Sequence, residues 1–348
     1  MKAVTPIRIL FGLVLITGLG IFIFATQKEK HQEKQKGAHV FGMTDSYDFD
    51  YLKKDNIEWV TLVPWADQEN TESPNLRHKR GDSLDVKKAN DDWIEQINQA
   101  REAGFSVFIK PHVWIYKPAN GKWRSDIFPS SSKNWDEWKA SYQDFILRFA
   151  QISEKAQADM FCLGTEFTRL TLEKPEFWKN LIKEVRRIYS GKIVYAANWY
   201  QEFEKIDFWQ DLDYIGIQAY FPLASTENPN LEELSKGWEN YISTLEELSV
   251  KLDRKILFTE IGYKSTTDSA IRPWEWVEDQ KNSKKTFSEE TQALCYQAFF
   301  NSIWPKDWFS GMHFWQIRSD DLKFRSETDM DFTPRGKSAE KVIRKGFE

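Results

Sequence analysis

The stretch DMFCLGTEF, residues 159–167, is a short run through Met160, Phe161, Cys162 and Leu163 that ends on a glutamate, Glu166. Its length, apolar content and abrupt polar end fit a buried strand of a parallel sheet better than an amphipathic helix. Seven further runs of this kind flank it. Before it come residues 39–44 (HVFGMT), 59–65 (WVTLVPW) and 106–114 (SVFIKPHVW); after it come 192–199 (KIVYAANW), 214–221 (YIGIQAYF), 255–263 (KILFTEIGY) and 311–318 (GMHFWQIR). Between the runs lie segments of helical period, among them residues 91–103, 134–155, 175–189, 231–252 and 288–304. In one of these Trp138, Tyr142, Phe145, Phe149 and Ile152 recur every three or four positions, with Asn134 as the expected cap. Ser288 is the expected cap of another, without the reciprocal box because Thr291 stands where Glu would be needed. Eight β/α units in about 310 residues predict a closed (β/α)8 barrel, the TIM barrel, with a doubly wound open sheet as the alternative.

Outward from that domain, residues 9–25 read ILFGLVLITGLGIFIFA, an uncharged run of about the minimum length for a membrane-spanning helix. A single hydrophobic anchor over residues 1–26 is expected. It should stay uncleaved, because Ile23 and Ala25 make a poor small-x-small site. Lys2 and Arg8 before the run and Lys28, Lys30, Lys34 and Lys36 after it leave the charge rule balanced between orientations. Residues 27–37 read as a charged tether and 38–348 as the barrel domain. The expectation is a cell-envelope protein held to the membrane by this segment alone, with the barrel outside the cytoplasm, or secreted if the segment is removed.

Composition narrows the partners. A net charge of -5 without a basic cluster argues against nucleic acid. Sixteen Trp are more than a core of this size needs, and indole faces are surfaces on which sugar rings stack. Cys162 and Cys295 fall on a strand and a helix expected not to touch, so no disulfide is predicted. Five His without His-x-His or Cys-x-x-Cys spacing offer no metal site, and no cofactor is expected. A monomer is the default.

In a barrel, reactive groups gather at the C-terminal ends of the strands. Those ends carry Asp45, then Trp65 and Asp67, His112 and Trp114, Glu166, Asn198 and Trp199, Gln218 and Tyr220, Glu260, and Trp315 with Gln316. Carboxylates, amides, an imidazole and indoles are the groups that a sugar site uses. Glu166 and Glu260 each end an apolar strand, where burial is costly without a partner or a purpose. An ion pair with Lys110 or Arg169 is the bland explanation for either one. Two such residues, on strands four and seven facing one another, favour catalysis at a bond held between them.

Here the chain resembles the clan of retaining barrel glycosidases and, within it, glycoside hydrolase family 113, the β-mannanase family. The likeness runs from HVFGMT to DFTPRGKSAEKVI and rests on CLGTE, IQAYFP, LFTEIGY and HFWQI. It implies Glu166 as acid/base, Glu260 as nucleophile, Tyr220 as a donor to the nucleophile and Trp315 as the floor under the cleaved sugar. Thr165 departs from the Asn that most of the clan places before the acid/base. That leaves open which group reads the sugar 2-hydroxyl. The implied reaction is double displacement, with the carboxyls about 5 to 5.5 Å apart.

Among the remaining strand-end residues, His112, Trp114, Asn198 and Gln218 are candidate substrate contacts. Trp135, Trp138 and Trp178 lie on helical stripes and read as core. Trp274 and Trp276 sit in a long loop, residues 264–287, read equally as a subsite wall or a surface flap. Two other functions fit the same residues: hydrolysis of a different β-linked polysaccharide, and sugar binding without turnover.

Overall fold

The computed structural model describes residues 34–42, 46–78, 86–119, 121–277, 285–319 and 329–348. In chain order the first elements are β1 (Gln35–Phe41), α1 (Ser46–Lys54), β2 (Trp59–Leu62), β3 (Trp65–Gln68), β4 (Leu76–His78) and α2 (Val86–Glu102). They continue with β5 (Ser106–Ile109), β6 (His112–Ile115), α3 (Ser132–Lys155), β7 (Met160–Thr165), α4 (Thr168–Glu173) and α5 (Pro175–Ile188). The remainder are β8 (Lys192–Asn198), β9 (Ile215–Gln218), α6 (Leu231–Leu252), β10 (Ile256–Ile261), α7 (Glu289–Ser302), β11 (Phe309–Arg318) and α8 (Ser338–Gly346).

Eight parallel strands, β1, β2, β5, β7, β8, β9, β10 and β11, close into a barrel in sequence order. All eight predicted runs contribute one barrel strand each, so the TIM-barrel expectation holds and the open sheet does not. Two of the runs are split. Each contains a proline, Pro64 and Pro111, which lacks the N–H a central ladder needs. Beyond these prolines the chain leaves the barrel as β3 and β6, which pair with each other, and β4 adds antiparallel to β3. The result is a small sheet at the barrel mouth.

β1 begins earlier than expected. Gln35, Lys36 and Gly37, read above as the end of the tether, pair with Gly311, Met312 and His313 of β11. The buried Gln35 side-chain oxygen, Oε1, meets His313 Nε2 at 2.8 Å, which explains why a polar residue opens a barrel strand. Residues 1–33, and with them the anchor and most of the tether, lie outside the described residues, as does Asp45. Among the described residues no helix is long and apolar enough to cross a membrane.

Helix ends follow local chemistry. Ser131, not Asn134, caps α3: its hydroxyl accepts the Asn134 N–H at 3.1 Å, placing Asn134 inside the first turn. Ser288 caps α7 through the Thr291 N–H, as expected. Trp138 and Trp178 are fully buried between strands and helices, and Trp135 packs against that core. Inside the barrel a smaller cluster of Phe108, Met160, Cys162, Val194, Ala196, Tyr214 and Leu257 fills the lower part. Cys162 and Cys295 are both buried free thiols.

Candidate active site

Alternation along a strand places Lys110 on the same side as Phe108, inside the barrel and two residues nearer the mouth. There the fully buried Lys110 ammonium donates to Glu260 Oε2 at 2.6 Å and to Gln218 Oε1 at 2.7 Å. Burial pulls its pKa down, and Glu260 is the main influence holding it up. Gln218 Nε2 also donates to Glu260 Oε2, at 2.9 Å, and the Tyr220 hydroxyl donates to Oε1. Three donors therefore converge on one carboxylate, an arrangement that fits the ionised form, which accepts and does not donate. His39 stands 3.8 Å from Glu260 Oε2. Burial and the Lys110 charge keep its imidazole neutral, with Nδ1 facing the Phe314 carbonyl and Nε2 facing Lys110.

Glu166 has different company. Arg124, in a single 3-10 turn at residues 124–126, donates to Glu166 Oε2 at 3.1 Å. Burial pushes the Glu166 carboxyl above its usual range; Arg124 opposes this, and the negative charge of Glu260 adds to it. The backbone of Glu166 lies in the left-handed region, with φ of 56°. For a side chain of this size that costs roughly 1–2 kcal/mol and persists only where neighbours hold it. They do: Glu166 N–H donates to the Ala196 carbonyl at 2.9 Å, and the next amide, Phe167 N–H, donates to the Tyr195 hydroxyl at 2.7 Å.

Arg124 also donates to His112 Nδ1 at 3.2 Å. Burial, with Lys110 and Arg124 nearby, keeps the His112 ring neutral, and Nδ1 faces Arg124, so its proton sits on Nε2, a buried donor without a partner among the described residues. The ring stacks parallel to Trp315 at 6.2 Å and meets the edge of Trp65 at 4.8 Å. Trp315 packs with Tyr220 and Phe332, and Trp276 meets it edge-on. Trp114 is 41% exposed on β6 and contacts Trp65 and Trp123, giving an aromatic face open to solvent at the mouth. Trp274, from the loop after β10, stacks on Trp199 at 5.2 Å and is equally exposed.

The eight candidate catalytic and substrate-contact residues divide into groups, with Trp114 on the exposed rim. Glu166, Glu260, His112, Tyr220 and Trp315 gather in one polar, aromatic-lined cluster. Gln218 belongs to the same cluster, with both ends of its amide committed to Glu260, Lys110 and Thr259. Asn198 instead accepts the Tyr200 N–H at 3.0 Å, in a turn after β8. The ion-pair explanation is half realised: Lys110 does pair with Glu260, whereas Arg169 pairs with Glu173 at 2.7 Å and leaves Glu166 to Arg124. The strands carrying the two glutamates, β7 and β10, are three places apart with β8 and β9 between them, rather than diametrically opposed. Arg124 and a buried loop carboxylate, Glu202, were not foreseen, because each comes from an irregular segment with no period to place it.

Comparison with known proteins gives a consistent result. A family model described as Glycoside Hydrolase Family 113 matches residues 34–337. A solved β-1,4-mannanase of that family is 25% identical, with a TM-score of 0.75, over 90% of this chain and 99% of the other. A β-mannanase of the family from Alicyclobacillus acidocaldarius, in complex with ManMIm, is 23% identical with a TM-score of 0.74, over 90% and 97%. A β-glucuronidase from Ruminococcus gnavus, 14% identical with a TM-score of 0.60, shares the fold over 91% of this chain and half of its own. No curated protein matches the sequence. With a family match running from β1 to the turn before α8, over a barrel whose mouth carries this carboxylate pair, the chain belongs to glycoside hydrolase family 113 and is a glycoside hydrolase.

Proposed function

We propose that the protein is a retaining β-1,4-mannanase that cuts within its substrate chain, with Glu260 as nucleophile and Glu166 as acid/base. The observation that carries this reading is the unequal surroundings of the two carboxyls. Glu260 receives Lys110, Gln218 and Tyr220, while Glu166 is buried with one arginine and holds its proton more tightly than usual. A pair set apart in this way can supply an anion and an acid at one pH. The two similar β-mannanases support the choice of substrate.

In the first step Glu260 attacks the anomeric carbon as Glu166 protonates the departing glycosidic oxygen, leaving a glycosyl ester on Glu260. Water, deprotonated by Glu166, then attacks the same carbon and frees Glu260. Trp315 would lie beneath the sugar, and the Nε2–H of His112, unpartnered among the described residues, would donate to a hydroxyl. Trp114, on the exposed rim, would stack on a neighbouring sugar. The site would take an oligosaccharide or polysaccharide. We place it outside the cytoplasm, held by the N-terminal hydrophobic segment.

Proton NMR of a β-1,4-mannan digest should show the β-anomer forming first; the α-anomer would rule out retention. Glu260→Gln should lower kcat on the order of a thousandfold or more, and wild-type turnover by that variant would reject the assignment. A different β-linked substrate remains the second reading because Thr165 stands where Asn reads the 2-hydroxyl in most of the clan. Rates on mannan, glucomannan, cellulose and xylan separate the two.

A further inference from the structure

The proposed chemistry leaves one buried carboxylate unused. Glu202, in the loop after β8, is fully buried, and among the described residues it has no lysine or arginine at ion-pair distance. Its Oε1 accepts from the Tyr195 hydroxyl at 2.7 Å and the Thr171 hydroxyl at 2.8 Å. Its Oε2 accepts from the Asn198 N–H at 2.7 Å and the Thr168 hydroxyl at 3.1 Å. An ionised carboxylate has about four acceptor sites, so these donors fill it. Keeping a charge here has a cost, which appears as a carboxyl pushed up to about 7 by burial.

Tyr195 links this group to the acid/base. While its hydroxyl donates to Glu202, the same oxygen accepts the Phe167 N–H, the amide that follows Glu166. On the other flank Glu166 N–H is held by the Ala196 carbonyl. Thr168 and Thr171 lie in α4, which starts immediately after Phe167. The left-handed backbone at Glu166 is thus gripped from β8 and from α4, and the two grips share Glu202.

We propose that Glu202 is a positioning residue for Glu166: through Tyr195 and the first turn of α4 it fixes the strained backbone from which Glu166 reaches the glycosidic oxygen. The proposal rests on Glu166 being the acid/base. The donors facing Glu202 from α4 and β8 are neutral, and its charge bears on Glu166, which is itself faced by Arg124, Lys110 and Glu260.

The test compares two substrates in the full-length protein: a mannooligosaccharide, whose leaving group needs a proton, and a 2,4-dinitrophenyl β-mannoside, whose leaving group does not. Glu202→Gln should lower kcat/KM for the first on the order of tenfold to a hundredfold and change the second little. Loss of the neighbouring negative charge should also move the alkaline limb of the profile to lower pH. Tyr195→Phe breaks the link but keeps the charge, so it should show the same dependence on leaving group with the limb unmoved. Glu166→Ala is run alongside. If it shows no such dependence, the acid/base reading falls and the proposal with it. If it does, while Glu202→Gln and Tyr195→Phe affect both substrates alike or neither, the role of Glu202 is overturned and that of Glu166 stands. Should Glu202→Gln fail to fold, the result with Tyr195→Phe decides.

Discussion

Glu166 and Glu260 are the same residue type at corresponding strand ends, and only their neighbours differ. Lys110, buried in the barrel, supplies a positive charge to Glu260 that no water can replace, whereas Arg124 reaches Glu166 from a loop turn. The Arg124 charge lowers the proton affinity that burial raises at Glu166. Removing it with Arg124→Gln should therefore let Glu166 keep its proton to higher pH, so the alkaline limb of kcat/KM should move upward. A downward or absent shift would show that Arg124 does not act on the group that donates the proton. At this scale the sequence was readable where a residue ends a strand, because strand ends map onto the mouth of a barrel. It was silent on Arg124 and Glu202. Each sits in a loop whose course depends on tertiary packing, and neither WRSD nor QEFEK contains a pattern that says where its charge will point.

Elements were legible through periodicity, and the departures have local causes. The apolar runs at residues 59–65 and 106–114 look continuous, yet Pro64 and Pro111 end the barrel ladder and release β3 and β6 into the sheet at the mouth. That displacement carries His112 and Trp114 to the rim. Helix α6 shows packing overriding propensity. Gly237 lies in its interior, where Ala would be favoured by about 1 kcal/mol. A Cβ there would fall 2.2 Å from the Leu223 carbonyl oxygen and 2.7 Å from its Cα, backbone atoms that cannot turn aside. Overpacking of this kind costs roughly 1–3 kcal/mol, enough to outweigh the gain. Gly237→Ala is expected to destabilise the protein in urea or thermal unfolding; an unchanged or raised midpoint would mean that α6 is free to shift.

Across the whole molecule, eight strands of one barrel convert distant positions into neighbours. Glu166 and Glu260 belong to β/α units separated by β8 and β9, and closure of the ring lets the charge of each act on the other's surroundings. The lower barrel is filled by apolar side chains around Phe108, crossed by one buried polar chain through Gln35, His313 and Thr61, while the groups that meet Glu260 stand at the end where the variable loops open. The family match and the solved β-mannanases give the same fold over nearly the whole described chain. The central claim is covalent: during turnover a sugar is joined to one particular carboxylate. Trapping with an activated 2-deoxy-2-fluoro-β-mannoside, followed by peptide mass spectrometry, tests it most directly. The label should appear on Glu260 within LFTEIGY; a label on any other residue, or inverted products with no covalent adduct, would contradict the account.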